Sequence, residues 1–291
     1  METVVNSIYR RMRRIGSPFY QALRDAKRMT EFSRARRSLF STGLTDPELR
    51  LLQQVSLKVS GSDQMHGPSD SAWDYLTAGL SARRCIQAAI DASGRSSPIE
   101  SILDFPCGYG RVLRFLKVMF PDAAIVGGEV DSDMLDFCRR TFSIETILSK
   151  GDFDHLDFSR RFDFIWCGSL ATHLDEKSTA GLMRFFYRHL RDGGTCVFTT
   201  HGQFIIELMR GKKMFRLTPE SDEKILRDFE RHGYGYADYR NGPPGWGISA
   251  SSHSRIAEMA RNVGPWKETL FLDHGWHNFQ DVYAFTRTSA P

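Results

Sequence analysis

The sequence predicts an α/β protein with a mostly parallel sheet covered by helices on both faces, preceded by a basic helical arm. Three observations support this. From residue 101 onward, short apolar runs alternate with helical stretches, the pattern of parallel strands joined by helical crossovers. The last two apolar runs are separated only by "DHGWHNF", too short for a crossover helix, so they run antiparallel. The 291 residues are 41% hydrophobic and 25% charged, which suits a globular chain with a full core.

In the arm, Val5, Ile8, Met12, Ile15, Phe19 and Leu23 recur every three or four residues with arginines between them, an amphipathic helical pattern. Gly16, Ser17 and Pro18 interrupt it, and Ser17-Pro18 is a cap and first-turn pair for a second helix. Thr45 and Glu48 in "TDPELRLLQQV" have capping-box spacing for a further helix. "SDQMHGPSDS" reads as a polar loop, and "AWDYLTAGLSARRCIQAAIDA" as one long helix. Strands are predicted at Ile102–Asp104, Ala124–Glu129, Thr146–Ser149, Phe162–Cys167, Thr195–Thr200, Lys267–Leu272 and Gln280–Thr286, with helices over 110–120, 132–141, 177–191 and near 252–263. Residues 202–248 break the alternation as a mixed helical, Gly- and aromatic-rich insertion. The expected organisation is an arm over 1–70 and a main domain over 71–291, with the insertion as its substrate cover.

Charge is unevenly spread. Residues 1–40 hold ten Lys/Arg against three acids, a net of +7, while the rest of the chain is net −3. The basicity belongs to the arm, so nucleic acid is not the expected partner of the domain itself. Packing of the arm's apolar stripe on the domain, contact with an anionic membrane surface and contact with an acidic partner all remain open. No apolar run approaches the roughly 18 residues of a membrane span, and the N-terminus lacks a signal-peptide core. A cytoplasmic protein is therefore expected, with peripheral membrane contact through residues 1–40 as a variant. The five cysteines are scattered without metal spacing and read as reduced, buried small hydrophobes.

The most informative stretch is "SILDFPCGYGRVLRFL", residues 101–116: an apolar strand ends on an acid, a Gly-containing turn comes next, and helical spacing resumes. Ligands of a doubly wound sheet lie at the carboxyl ends of its strands. A nicotinamide fingerprint requires GxGxxG, and Leu113 stands where the third glycine belongs. The turn, together with the segments C-terminal to it, resembles the class I S-adenosylmethionine-dependent methyltransferase family, whose core is a Rossmann-like seven-stranded sheet with a reversed last strand. That family's first motif reads acid-x-Gly-x-Gly-x-Gly, and here it stands as Asp104-Phe105-Pro106-Cys107-Gly108-Tyr109-Gly110, with Pro106 in place of the first glycine. By the resemblance, Asp104 faces the methionine amino group of S-adenosylmethionine and the glycines Gly108 and Gly110 pass under it, with Pro106 and Cys107 completing the turn. Glu129, next to Val130 in "IVGGEVDSDML", matches the acid that accepts the two ribose hydroxyls. Asp152 in "SKGDFDHL" stands where the family contacts the adenine amino group, with Phe153 beside the ring. Gly168 and Ser169 in "FDFIWCGSLATHL" lie past the fourth strand, under the sulfonium, and "HLRDGGTCVFTTHG" matches the family's helix, Gly-Gly turn and fifth strand. The resemblance covers about residues 75–286.

Methyl transfer from a sulfonium needs in-line approach, so positioning supplies much of the catalysis, and a hydroxyl acceptor gains from a general base. His173 past the fourth strand and His201 past the fifth are the candidate bases; His274 and His277 in the last hairpin are further ones. Each is otherwise a loop histidine satisfied by backbone or solvent. His274, His277 and Asp281 lack a fourth metal ligand with local spacing and read instead as a turn. His66 and Tyr75 lie in the segment that in similar proteins folds over the methionine end. Tyr75 is either a donor to the cofactor carboxylate or a packing aromatic, and Arg111 either a carboxylate contact or solvated surface. The Asn/Asp-Pro-Pro-aromatic turn of nucleobase amino-methyltransferases is replaced by Cys167-Gly168-Ser169-Leu170. The Pro-Cys pair of cytosine-ring enzymes is missing there too, "FPC" at 105–107 being in the wrong loop. The aromatics of 202–248 suit either stacking on a sugar or aromatic ring, or the core of a small subdomain. The function implied is S-adenosylmethionine-dependent methylation, directed to oxygen, of a small-molecule or glycan acceptor. An RNA- or protein-directed methyltransferase using the basic arm, and a cofactor-binding interaction protein without catalysis, are the alternatives.

Overall fold

The computed structural model describes residues 18–66, 71–149, 152–215 and 217–288, with backbone alone for 18–25. Val5, Ile8, Met12, Ile15, Gly16 and Ser17, and the side chains of Phe19 and Leu23, lie outside the described residues. The chain divides into two units, 1–76 and 77–291.

In the first unit, α1 (Pro18–Leu39) and α2 (Asp46–Gln54) precede the first turn of α3 (Ala72–Ser93). The predicted capping box forms: Glu48 accepts from the Thr45 N–H at 3.0 Å and from its hydroxyl at 2.9 Å. Arg28 donates to the carbonyls of Ser60 and Gly61. Phe32 is buried with its ring edge-on to His66 and Tyr75.

After α3, strands and helices alternate as β1 (Ser101–Asp104), α4 (Leu113–Met119), β2 (Ala124–Glu129), α5 (Ser132–Phe142), β3 (Glu145–Leu148), β4 (Phe162–Cys167), α6 (Glu176–His189) and β5 (Leu190–Thr200). The insertion then forms α7 (Gln203–Gly211), α8 (Pro219–His232) and the antiparallel pair β6 (Tyr234–Asp238) and β7 (Gly247–Ser251). The chain closes with α9 (His253–Arg261), β8 (Trp266–Trp276) and β9 (Gln280–Arg287). Seven strands make one sheet in the order β3-β2-β1-β4-β5-β9-β8. The first five are parallel, and β9 runs antiparallel to both β5 and β8.

Alternating side chains of the sheet feed two cores. Leu103, Ile165 and Phe198 pack beneath α6 and α9. Ile102, Phe164, Trp166 and Val197 pack beneath α3, α4 and α5. Both faces are therefore covered, as the strand–helix alternation predicts. The insertion has a core of its own, built from Ile205, Ile206, Ile225, Phe229, Ile248 and Ala250. All five cysteines are free and buried. Among the described residues, no helix is long and apolar enough to cross a membrane.

Three boundaries differ from the sequence reading by three residues or more. Helix α4 starts at Leu113 rather than 110, because Gly110 sits at φ 78°, outside the helical region. Strand β5 starts at Leu190, although its unbroken ladder with β4 runs from Thr195. Strand β8 continues through "DHGW" to Trp276 across a register shift, which shortens the final turn to residues 277–279.

At the amino end of β4, the buried carboxylate of Asp163 gathers donors from neighbouring segments. It accepts from the Ser101 hydroxyl at 2.8 Å, the Ser101 and Glu100 N–H groups at 2.9 and 3.1 Å, and Arg95 at 2.8 Å. Arg191, at the start of β5, adds a contact at 3.1 Å. Burial opposes ionisation, but these donors outweigh it and hold the Asp163 pKa below the usual carboxylate range. A depressed folded pKa stabilises the protein above the unfolded value of about 3.9, and that stability is lost as pH falls through the folded value. Asp163→Ala is expected to cost about 3 kcal/mol at neutral pH in chemical denaturation, because two guanidinium groups and two backbone donors lose their acceptor. The difference from the parent protein should narrow below about pH 4.

Candidate active site

The parallel register brings the carboxyl ends of β1, β2 and β4 together: Asp104 pairs with Gly127 on one side and Trp166 on the other. Strand β1 is central and apolar, so its terminal acid is drawn into the interior. Asp104 is 1% exposed, and its Oδ2 has no hydrogen-bond partner. Burial, and then the charge of Glu129, push its pKa well above the ordinary carboxylate range.

The turn after β1 is built from backbone. The Cys107 N–H reaches the Gly128 carbonyl at 3.0 Å, and the Gly110 N–H closes the turn on the Cys107 carbonyl at 2.9 Å. Gly108 and Gly110 have φ of 50° and 78°, the left-handed region that favours glycine. A Cβ on Gly110 would also lie 2.4 Å from the Phe142 ring. The buried Arg114 side chain donates to the Gly110 carbonyl at 2.9 Å, and the Cys138 thiol to that of Gly108 at 3.2 Å, fixing the turn from below.

Glu129 ends β2 with both carboxylate oxygens engaged by backbone, Oε2 by the Gly108 N–H at 3.0 Å and Oε1 by the Val130 N–H at 2.7 Å. Burial raises its pKa even though these N–H bonds oppose the shift. Each oxygen keeps a second lone pair for another donor. Val130 is 63% exposed at the same strand end, and Pro106 is half-buried. Asp152 is exposed and bonded to His155 at 2.7 Å, a contact that lowers its pKa. Phe153 is buried, edge-on to Phe105 at 6.2 Å between centroids.

Past β4, Gly168 packs closely on Trp276: a Cβ there would lie 2.8 Å from the indole. Ser169 has φ of 60° and is held in a polar chain not foreseen from the sequence. Its N–H donates to the Thr199 hydroxyl at 2.9 Å, its Oγ accepts from Gln280 at 2.8 Å, and Thr199 donates to the Gln280 carbonyl oxygen at 2.6 Å.

His173 ends a 3₁₀ turn (Ala171–His173), and its Nδ1 lies 2.9 Å from the Gly247 carbonyl. A carbonyl only accepts, so Nδ1 carries the proton and Nε2 is the basic nitrogen of the neutral ring. Trp246 stacks on the imidazole at 4.7 Å, and the Tyr239 hydroxyl is 3.2 Å from Nδ1. Burial lowers the His173 pKa. His201 makes the same bond from the end of β5, Nδ1 to the Ser249 carbonyl at 3.0 Å, and burial brings its pKa down to about 4. Both histidines are thus neutral at physiological pH, and both hold alternate carbonyls of β7.

Asp281 is buried at the start of β9, under Gly202, and accepts from the His274 N–H at 2.8 Å. Burial pushes its pKa up to about 6. His274 stacks on Phe204, His277 contacts Thr77 and Ser81, and Arg111 lies over the Trp276 ring. Among the described residues, no group of three or more His, Cys, Asp or Glu side chains is placed to hold a metal ion. Tyr75, in the first unit, donates its hydroxyl to Asp63 at 2.9 Å, beside His66. An open cleft of about 530 Å³ lined by Arg160, Arg188, His189 and Arg287 lies at the amino ends of β4 and β5, away from the glycine turn and from both candidate bases.

The donor and acceptor set fits S-adenosylmethionine. The partnerless oxygen of Asp104 suits an ammonium group, Glu129 suits a vicinal diol, and Gly108, where a Cβ would meet nothing within 4 Å, leaves room beside them.

Residues 102–194 match the model of a methyltransferase domain family. A curated relative, the malonyl-[acyl-carrier protein] O-methyltransferase of Priestia megaterium (strain DSM 319 / IMG 1521), is 27% identical over 110 residues, which are 35% of this chain and 37% of that protein. The match thus spans little more than a third of the relative's length. The crystal structure of an S-adenosylmethionine-dependent methyltransferase from Clostridium acetobutylicum ATCC 824 superposes with a TM-score of 0.50 at 13% identity, covering 78% of this chain and 96% of that one, a likeness of fold. The segment from β1 to the start of β5 therefore matches a methyltransferase domain, and the fold around it is shared with that S-adenosylmethionine-dependent methyltransferase.

Proposed function

We propose that the protein transfers a methyl group from S-adenosylmethionine to a hydroxyl of a small-molecule or glycan acceptor. The observation that carries this reading is the fixed, neutral imidazole of His173 at the carboxyl end of β4, its Nδ1 committed to Gly247 and its Nε2 left as the base. The name of the Priestia relative records an O-methyl transfer, which agrees with an oxygen acceptor.

When bound, the cofactor supplies a methyl group on a positively charged sulfur that leaves as a neutral thioether. The chain's own residues then have three tasks. Asp104 accepts from the ammonium, an interaction that offsets the cost of burying its carboxylate. Glu129 accepts from the two ribose hydroxyls with the lone pairs that Gly108 and Val130 leave available. His173 takes the proton from the acceptor hydroxyl at Nε2 while Trp246 fixes the plane of its ring. His201, with a pKa of about 4, stays neutral and holds β7 in place.

Titration calorimetry with S-adenosylhomocysteine is expected to detect binding, and Glu129→Ala to weaken it by at least about tenfold through lost charge-assisted hydrogen bonds. Because Asp104 has a raised pKa in the free protein and its anion is the form that meets the ammonium, binding should release protons and weaken as the pH falls from the raised value across the range toward the ordinary carboxylate value of about 3.9. Equal affinity across that range would refute the role of Asp104.

His173→Ala should lower turnover while leaving the affinity for S-adenosylhomocysteine nearly unchanged. The parent enzyme should lose activity as pH falls through the His173 pKa, below the usual histidine value, since the protonated ring cannot accept. Normal turnover in the variant, measured with any acceptor that the parent methylates, would remove His173 as base.

A further inference from the structure

The basic arm takes no part in the methyl-transfer site, and α1 is the part of it whose side chains are described, from residue 26 onward. One stripe of this helix faces inward: Phe32 and Leu39, about two turns apart, are 0% and 1% exposed. Two arginines beside that stripe bind within the unit. Arg28 donates to the Ser60 and Gly61 carbonyls, and Arg36 to those of Leu52 and Gln53 at 3.4 and 3.3 Å.

The helix side away from the packed stripe is turned to solvent. Lys27, Arg34 and Arg37 are exposed there, and the Arg37 Nε bonds back to its own helix, at the Ser33 carbonyl, 3.3 Å away. Glu31, the acid of this stretch, lies 3.7 Å from His66, and among the described residues none of the three cations has an acidic partner. Met29, 42% exposed, and Phe40, 38% exposed and one residue past the helix end, lie on the same side, about three turns apart. Single exposed apolar side chains are ordinary on protein surfaces. Here they are concentrated: the first unit, about a quarter of the chain, carries Met29, Phe40, Met65 and Trp73, four of the seven large exposed apolar side chains among the described residues.

The spacing selects the partner. Met29 and Phe40 are about 16 Å apart along the axis with Ser33 and Arg37 between them, so they do not make the contiguous, charge-depleted centre of a protein–protein contact. A face for RNA would stack bases on several rings, and Phe40 is the one described aromatic on this side. A bilayer surface requires neither feature. Separate apolar side chains dip into the interface while neighbouring Lys and Arg meet anionic headgroups. The charge of the arm, +7 over residues 1–40, has the sign that such a surface attracts.

We infer that the face of α1 formed by Lys27, Met29, Arg34, Arg37 and Phe40 seats the protein on an anionic membrane surface. The contact does not depend on which molecule accepts the methyl group.

The test is co-sedimentation of the full chain with vesicles of phosphatidylcholine, alone or mixed with phosphatidylglycerol at about 7 to 3. The mixed vesicles should bind the protein and the neutral ones should not, and binding should fall at least about tenfold between about 0.05 and about 0.5 M salt. Arg34→Glu with Arg37→Glu should weaken binding to the mixed vesicles at least about tenfold, and Met29→Ser with Phe40→Ser likewise. Arg140→Glu with Arg231→Glu, an equal charge change at exposed positions of the second unit, should alter it less than about threefold. The charge reversals fall on exposed side chains, so they test the inference even if the apolar pair lowers the melting temperature. Absence of binding to the mixed vesicles, binding that survives Arg34→Glu with Arg37→Glu, or an equal loss in the control pair would each overturn the inference. So would tighter binding to polyuridylate or polyglutamate than to the mixed vesicles at the same salt.

Discussion

A carboxyl group buried at the end of the central strand, with one oxygen lacking a partner, is the constraint around which the rest of the site is arranged. Leaving Asp104 in that position costs the fold on the order of a few kcal/mol, and a second carboxyl, Glu129, stands close enough to raise the cost. The surrounding structure keeps the group from escaping. Strand β1 is clasped between β2 and β4, and the amino end of β4 is tied to β1 through Asp163. Gly108 and Gly110 offer only backbone in the adjoining turn, so neither can rotate a side chain onto the orphaned oxygen. The unmet acceptor is thus a property of the sheet, and an ammonium group is the donor that suits it.

The insertion is seated by a different device. Strand β7 belongs to a segment with its own core, yet its Gly247 and Ser249 carbonyls are the acceptors for two imidazoles from the segments that follow β4 and β5. The same bonds that seat the segment also fix which nitrogen of each ring is basic. Local structure, packing and chemistry therefore meet in one five-residue strand.

Much of the sheet was legible because its strands are short apolar runs closed by polar residues. The bounds of β2 and β4 follow directly from "AIVGGE" and "FDFIWC". The end of β8 was not, since "DHGW" has the composition of a turn and its pairing depends on Gln280 across a register shift. Strand β7, "GISAS", has only Ile248 as a β-branched signal and is held in place by tertiary contacts. The glycine turn and the acid that ends β2 were singled out by the resemblance, whereas the link from Thr199 to Gln280 joins residues 81 apart in the chain and leaves no local pattern. Asp163 was invisible for the same reason, its donors coming from three separate segments.

The two histidines hold β7 in a way that is insensitive to acid. In each ring the latch is an N–H that exists in both the neutral and the charged form, so taking up a proton at the far nitrogen leaves the latch fastened. Acidification would extinguish the proton-accepting capacity of the His173 ring without unhooking β7 beside it. Protonation of each ring and its hold on β7 are uncoupled by the tautomer.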